Sequence, residues 1–168
     1  PAGSEAVLVY RMRANGHAPL GTAAEVTNSL EITGDGLANP VTAAETVAAD
    51  PAAVLSIQKA LSPATVVENG EITYTFTIQN TGAMAVDAAD ALVLRDTFNP
   101  ALEAPIAVNL NGVAWPQEGN YTYNAATGEF VTTAGAITVP AATYTQSAAT
   151  GLWSVSPGVT TLTVRGTI

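Results

Sequence analysis

Residues 71–80 read EITYTFTIQN, and their period decides the fold class. Ile72, Tyr74, Phe76 and Ile78 fall on one side, Thr73, Thr75 and Thr77 on the other. Successive side chains of a strand point to opposite faces, so this stretch is a strand with one buried face, the signature of an antiparallel sheet. The same alternation runs outward in both directions. IAVNLNGVAW (106–115) sets Asn111-Gly112 between alternating apolar residues, the strongest short hairpin signal. YTYNAATGEFV (121–131) turns around 124–128, and TYTQSAATGLWSV (143–155) turns near 149–151. The best helix candidate, residues 40–53, has alanines but no sustained apolar stripe, and prolines bracket it. Many short strands punctuated by Gly, Pro and Asn predict an all-β chain folded as an antiparallel β-sandwich.

Composition narrows the function. The 168 residues suffice for a hydrophobic core without staples. Cysteine is absent, which removes disulfides, zinc ribbons and thiol nucleophiles. Five basic against 14 acidic residues give a net charge of -9, unsuited to nucleic acid or anionic membranes. No apolar run is long enough for a membrane-spanning helix. Only 11% of residues are charged, so the surface is built from Thr, Asn, Gln and Ala, in the style of extracellular all-β proteins. The chain opens on Pro1, as expected of a processed segment or one excised from something longer.

A boundary is expected near Asp50-Pro51. The stretch AETVAADPAAVLSIQKALSP (44–63) passes between strands through an Ala-Asp-Pro link. Pro and Ala there predict an extended connector, as between beads on a string. Residues 1–50 then read as the closing strands of one sandwich, 51–53 as linker and 54–168 as the opening strands of the next. Within the latter, about 105–156 reads as an inserted set of hairpins.

The segment LSIQKALSPATVVENGEITYTFTIQNTGAMAVDAADALVLRDTF (55–98) resembles the conserved-repeat domain of bacterial surface proteins, domain of unknown function eleven. The residues that carry the resemblance are Lys59, Ser62-Pro63, Gly70, Tyr74, Phe76, Ile78, Asn80-Thr81-Gly82 and Asp96-Thr97. Residues 10–47, YRMRANGHAPLGTAAEVTNSLEITGDGLANPVTAAETV, are similar to the closing portion of that domain, so its order is rotated here. The resemblance implies immunoglobulin-like β-sandwiches in tandem on a bacterial surface, and by itself no activity.

Parity singles out three polar residues. Lys59 shares a face with Leu55, Ile57 and Leu61; Asn28 with Val26, Leu30 and Ile32; Asp96 with Leu92, Leu94 and Phe98. Lys59 is the chain's only lysine. A buried charge must be paired or neutralised. One reading is an unreacted Lys59–Asp96 ion pair with an Asn28-type amide as partner. The other follows from similarity to Gram-positive surface and pilus sandwiches whose first and last strands are locked by an isopeptide bond. That similarity implies Lys59 as nucleophile, Asn28 as electrophile and Asp96 as catalytic acid. Asn28 precedes the linker and Lys59 follows it, so Asn28 would come from the adjacent unit.

The ends bear on assembly. Val7, Leu8, Val9, Tyr10 and Met12 predict a strand apolar on both sides, central or facing a partner. Setting Gly3 against Gly158, an offset of 155 residues (158 − 3), brings Val7 onto Leu162 and Val9 onto Val164. The closing strand then reads as the place where a repeat was cut, with residues 14–50 of the next copy completing the sandwich. The expected assembly strands carry Val7, Leu8, Val9, Tyr10, Val26, Leu30, Ile32, Leu162 and Val164.

Other candidates are weaker. His17 stands alone in a polar loop, Asp35, Asp87 and Asp90 lack the oxygen spacing of a Ca²⁺ loop, and no metal or cofactor is expected. Asn120-Tyr121-Thr122 fits a glycosylation sequon. The function expected is a structural repeat of an extracellular fibre, pilus-like filament or cell-surface stalk, joined head to tail to copies of itself by strand complementation. The alternative is an adhesin or carbohydrate-binding module that takes a glycan or host-surface ligand on Trp115, Trp153 and Tyr144. Nothing supports an enzyme beyond autocatalytic isopeptide formation.

Overall fold

The structure is a computed structural model and describes residues 7–168. Twelve strands run β1 (Glu25–Ile32), β2 (Val41–Ala48), β3 (Leu55–Ser62), β4 (Glu71–Asn80), β5 (Arg95–Thr97), β6 (Ala107–Leu110), β7 (Val113–Ala114), β8 (Tyr121–Asn124), β9 (Glu129–Thr132), β10 (Thr143–Gln146), β11 (Trp153–Ser156) and β12 (Gly158–Thr167). The chain is all-β. Among the described residues the only helical turn is a short 3₁₀ segment, Ala88–Asp90, capped by Asp87.

Two sheets make the body, a five-stranded one in the order β3-β4-β12-β6-β7 and a three-stranded one in the order β5-β9-β8. All the ladders are antiparallel. The alternation in 71–80 is realised as read: Ile72, Tyr74, Phe76 and Ile78 face inward and are buried. The opposite sheet answers with Phe98, Tyr121 and Phe130, and Tyr74 stacks on Phe98 at 4.6 Å between ring centroids. Each large side chain buried this way stabilises the fold by about 1.5–3 kcal/mol.

The hairpins at 106–115 and 121–131 form as expected. Asn111 and Gly112 both take positive φ, 51° and 79°, as a two-residue type I′ turn requires. These hairpins do not decorate the sandwich. β6–β7 extends the larger sheet, and β8–β9 supplies most of the smaller one. Of the region read as an insertion, only β10–β11 stands as a separate two-stranded ribbon.

The closing strand is also better placed than expected. β12 pairs with β4 along its whole length and with β6 on its other edge. Leu162 and Val164 are fully buried in the core, so they are not assembly residues in this structure. The reason is parity: Thr160, Leu162 and Val164 all point inward, and both neighbouring strands lie within the same chain.

Candidate assembly site

The larger sheet has five strands and the smaller has three, so part of the larger sheet is bare. β5 lies over β4, as the Tyr74–Phe98 stack shows, and pairs only with β9. Its other edge is free. Beyond that edge, which pairs with no other described strand, lies β3, the border strand of the larger sheet, which no described strand covers. Its inward-parity residues Leu55, Ile57 and Leu61 remain 40%, 56% and 48% exposed. Between the two free borders runs an apolar groove of about 310 Å³, lined by Leu55, Ile57, Ile78, Leu92, Leu94 and Arg95.

One polar pair crosses this groove. Lys59 Nζ stands 2.5 Å from Asp96 Oδ2, joining β3 to β5. The ammonium also lies over the rings of Tyr74 at 4.9 Å and of Phe76 and Phe98, each at 5.6 Å, a placement attractive to a cation. Parity therefore brought Lys59 and Asp96 together correctly. It overstated their burial: the Lys59 side chain is 40% exposed and that of Asp96 18%, because no strand lies over β3. An ion pair this open adds little stability by itself.

Asn28 is elsewhere. It sits on β1, and its amide donates to the Tyr10 hydroxyl. The β1–β2 hairpin is a sheet of its own, and nearly all of it is exposed. One of its faces carries Val26, Leu30 and Ile32 from β1 and Val41, Ala43 and Val47 from β2, with Asn28 directly across from Glu45 in the middle. This is an apolar stripe with a single polar rung. Glu45 was missed in the sequence, although its place between Ala43 and Val47 marks it by the same parity.

The linker that follows the hairpin is fixed to the body by a clamp built on Asn80. That carboxamide, fully buried, accepts from the backbone N–H of Val54 (3.0 Å) and Gly82 (2.9 Å) and donates to the carbonyls of Met84 (2.7 Å) and Pro140 (3.0 Å). Thr81 N–H donates to Val54 O at 2.9 Å, and Met84 N–H to Ala52 O at 3.3 Å. At Gly82 an added Cβ would sit 2.1 Å from Ala52 O, so any side chain there forces the linker backbone to shift. The Asn80-Thr81-Gly82 stretch thus seizes the linker where it enters β3. Beyond an extended connector, the linker is a fixed joint, and the sequence reading did not foresee this.

The remaining predicted residues separate. Val7, Leu8 and Val9 are exposed and belong to no ladder, as do Tyr10 and Met12. The expected first strand does not form over the described residues 7–12, although the Tyr10 hydroxyl reaches Asn28 on β1. Trp115 packs against the core and Tyr121, whereas Tyr144 and Trp153 lie on β10–β11. Tyr144 donates its hydroxyl to Thr81 O, and the Trp153 backbone N–H binds Gly16 O. By register Tyr144 and Trp153 share one face of the β10–β11 ribbon, while Trp115 packs against the core. No described helix is long and apolar enough to cross a membrane, and among the described residues no three metal-ligating side chains come together.

Searches against protein families, curated proteins and solved structures find no match to this chain.

Proposed function

We propose that this chain is a structural repeat unit of an extracellular fibre or surface stalk, completed head to tail by strands of a neighbouring unit. The observation that carries the reading is the bare inner face of β3 beside the free edge of β5. A sandwich with one side uncovered exposes apolar area and unpaired backbone groups that invite pairing with another chain. Strand addition answers both, since main-chain bonds close the edge and alternate side chains fill the groove. The resemblance of residues 55–98 to the bacterial surface repeat domain fits the same reading, including an immunoglobulin-like sandwich once completed.

Lys59 and Asp96 have a place in it. With a neighbouring strand over the groove, transfer of one proton from the Lys59 ammonium to the Asp96 carboxylate leaves an amine beside an acid. The amine then attacks the side-chain carbonyl carbon of the neighbour's Asn28. The C–N bond to the carboxamide nitrogen breaks and ammonia leaves. Of the two protons shed by Nζ, one stays on Asp96 and one departs with the ammonia. No substrate is turned over, so this is cross-linking and not enzymatic activity.

Two measurements test the reading. Light scattering and electron microscopy of the 168-residue chain at rising concentration should show linear oligomers. A strictly monomeric chain at all concentrations rules the reading out. Intact mass under denaturing conditions should show oligomers short of the summed monomer mass by one ammonia per junction, and Lys59→Ala should abolish the shortfall. Oligomers that fall apart fully on denaturation would leave Lys59–Asp96 as a plain ion pair.

A further inference from the structure

We infer that the groove between β3 and β5 is the docking site for the β1–β2 hairpin of a second copy, with β1 antiparallel to β5 and Asn28 opposite Asp96. The inference rests on the head-to-tail reading and names the segment, the edge and the register. Three observations support it.

The first is the strand deficit. The smaller sheet lacks two strands relative to the larger (5 − 3). Of the two separate two-stranded ribbons among the described residues, β10–β11 is bonded to its own chain through Tyr144 and Trp153, whereas β1–β2 is exposed on nearly every residue. Added at the free edge of β5, it makes the order β2-β1-β5-β9-β8, and its first strand comes to lie over β3.

The second is the matching of the stripes. With Asn28 opposite Asp96 in the antiparallel direction, Val26 meets Phe98, Leu30 meets Leu94 and Ile32 meets Leu92. Every residue in this set has inward parity in its own strand. The donor's polar rung, Asn28 across from Glu45, then faces the acceptor's polar rung, Lys59 with Asp96. A shift by one residue would turn Thr27 and Ser29 into the groove. A shift by two would set Leu30 or Val26 against the Asp96 carboxylate.

The third excludes the chain's own hairpin. Ala52 and Val54 are pinned to the Asn80–Met84 segment. Ala49 N–H is bonded to Ala24 O at 2.7 Å, which closes the base of the hairpin at the far side of that clamp. Only another copy, as a separate molecule or a following repeat, brings its hairpin to the groove.

The absence of cysteine gives a clean test. Thr27 and Ser29 lie on the outer face of β1, Thr97 and Arg95 on that of β5. In the inferred register Thr27 is opposite Thr97 and Ser29 opposite Arg95, at Cα separations of about 4.5–5.5 Å, which disulfides accept. Chains carrying Thr27→Cys are mixed with heavy-isotope-labelled chains carrying Thr97→Cys, and Ser29→Cys chains with labelled Arg95→Cys chains. Oxidised glutathione is added, and intact mass distinguishes heterodimers from homodimers. Both mixtures should give mostly disulfide heterodimer. The crossed mixtures, Thr27→Cys with Arg95→Cys and Ser29→Cys with Thr97→Cys, should give at least tenfold less. Dominant cross-linking in the crossed mixtures overturns the direction and register. Chains that oligomerise yet cross-link in no mixture overturn the groove as the site while leaving head-to-tail assembly standing. Chains that neither oligomerise nor cross-link overturn both.

Discussion

Asn80 is the residue on which most of one end of the molecule depends. Its carboxamide makes four hydrogen bonds to backbone groups of three separate segments, with no water to replace it. Asn80→Ala should lower unfolding free energy by about 2–4 kcal/mol, because buried backbone groups are left unpaired at about 1–3 kcal/mol each; a urea titration measures it. Gly82→Ala should cost about 1–3 kcal/mol by overpacking against Ala52. Tyr121 and Tyr123 carry a pH dependence. Burial holds both phenols above the usual 10.0; for Tyr123 the hydrogen bond to Leu102 O opposes the rise and Tyr74 adds to it. The folded chain therefore keeps phenol protons that the unfolded chain releases. Their contribution to stability is complete below pH 10.0 and is lost as pH climbs beyond it. Urea midpoints should fall with pH in that range, and less steeply in Tyr121→Phe.

At the scale of elements, the ladders were legible wherever alternation met turn chemistry. β4 follows from period two, the 106–115 hairpin from its Asn111-Gly112 turn, and the meeting of Lys59 with Asp96 from parity together with the need to pair a charge on an apolar face. Partnership was less legible, because it is a property of edges. Val7 to Met12 has the composition of a strand but joins no ladder, and β12, read as a cut end, has a partner on each side. Asn80-Thr81-Gly82 was visible as a motif, yet its work on the linker depends on carbonyls 60 residues away at Pro140. The β1–β2 hairpin raises its own prediction. An isolated two-stranded ribbon is marginal in water, so its amides should exchange with solvent within seconds in dilute monomer. In assembled material the same amides, Thr27 to Glu31 above all, should be protected at least a hundredfold. Equal exchange in both states argues against docking of the hairpin.

For the whole molecule, the arrangement is a body with a vacancy at one border and a matching piece projecting from one end. Both surfaces are apolar with one polar rung, so one charge placed on either should prevent association without unfolding the body. Leu30→Asp on the hairpin and Ile57→Asp on β3 should each weaken self-association at least a hundredfold by light scattering, with near-unchanged circular dichroism. Mixed together they should still form heterodimers and stop there, because one chain keeps its groove and the other its hairpin. Association of either variant alone at the unaltered level would show that the apolar stripes do not meet.

The joint at Asn80 and Gly82 has a mechanical consequence. The hairpin and the groove belong to one chain, and the linker between them is bonded at Ala52 and Val54 to the segment around Asn80–Met84, with no space for a side chain at Gly82. In the proposed polymer these hydrogen bonds would restrict the angle from one unit to the next. A polymer so joined should be stiffer than one strung on free linkers, which its persistence length in electron micrographs measures. A β-carbon at Gly82 would act as a loosened hinge, shortening that length while leaving each junction intact.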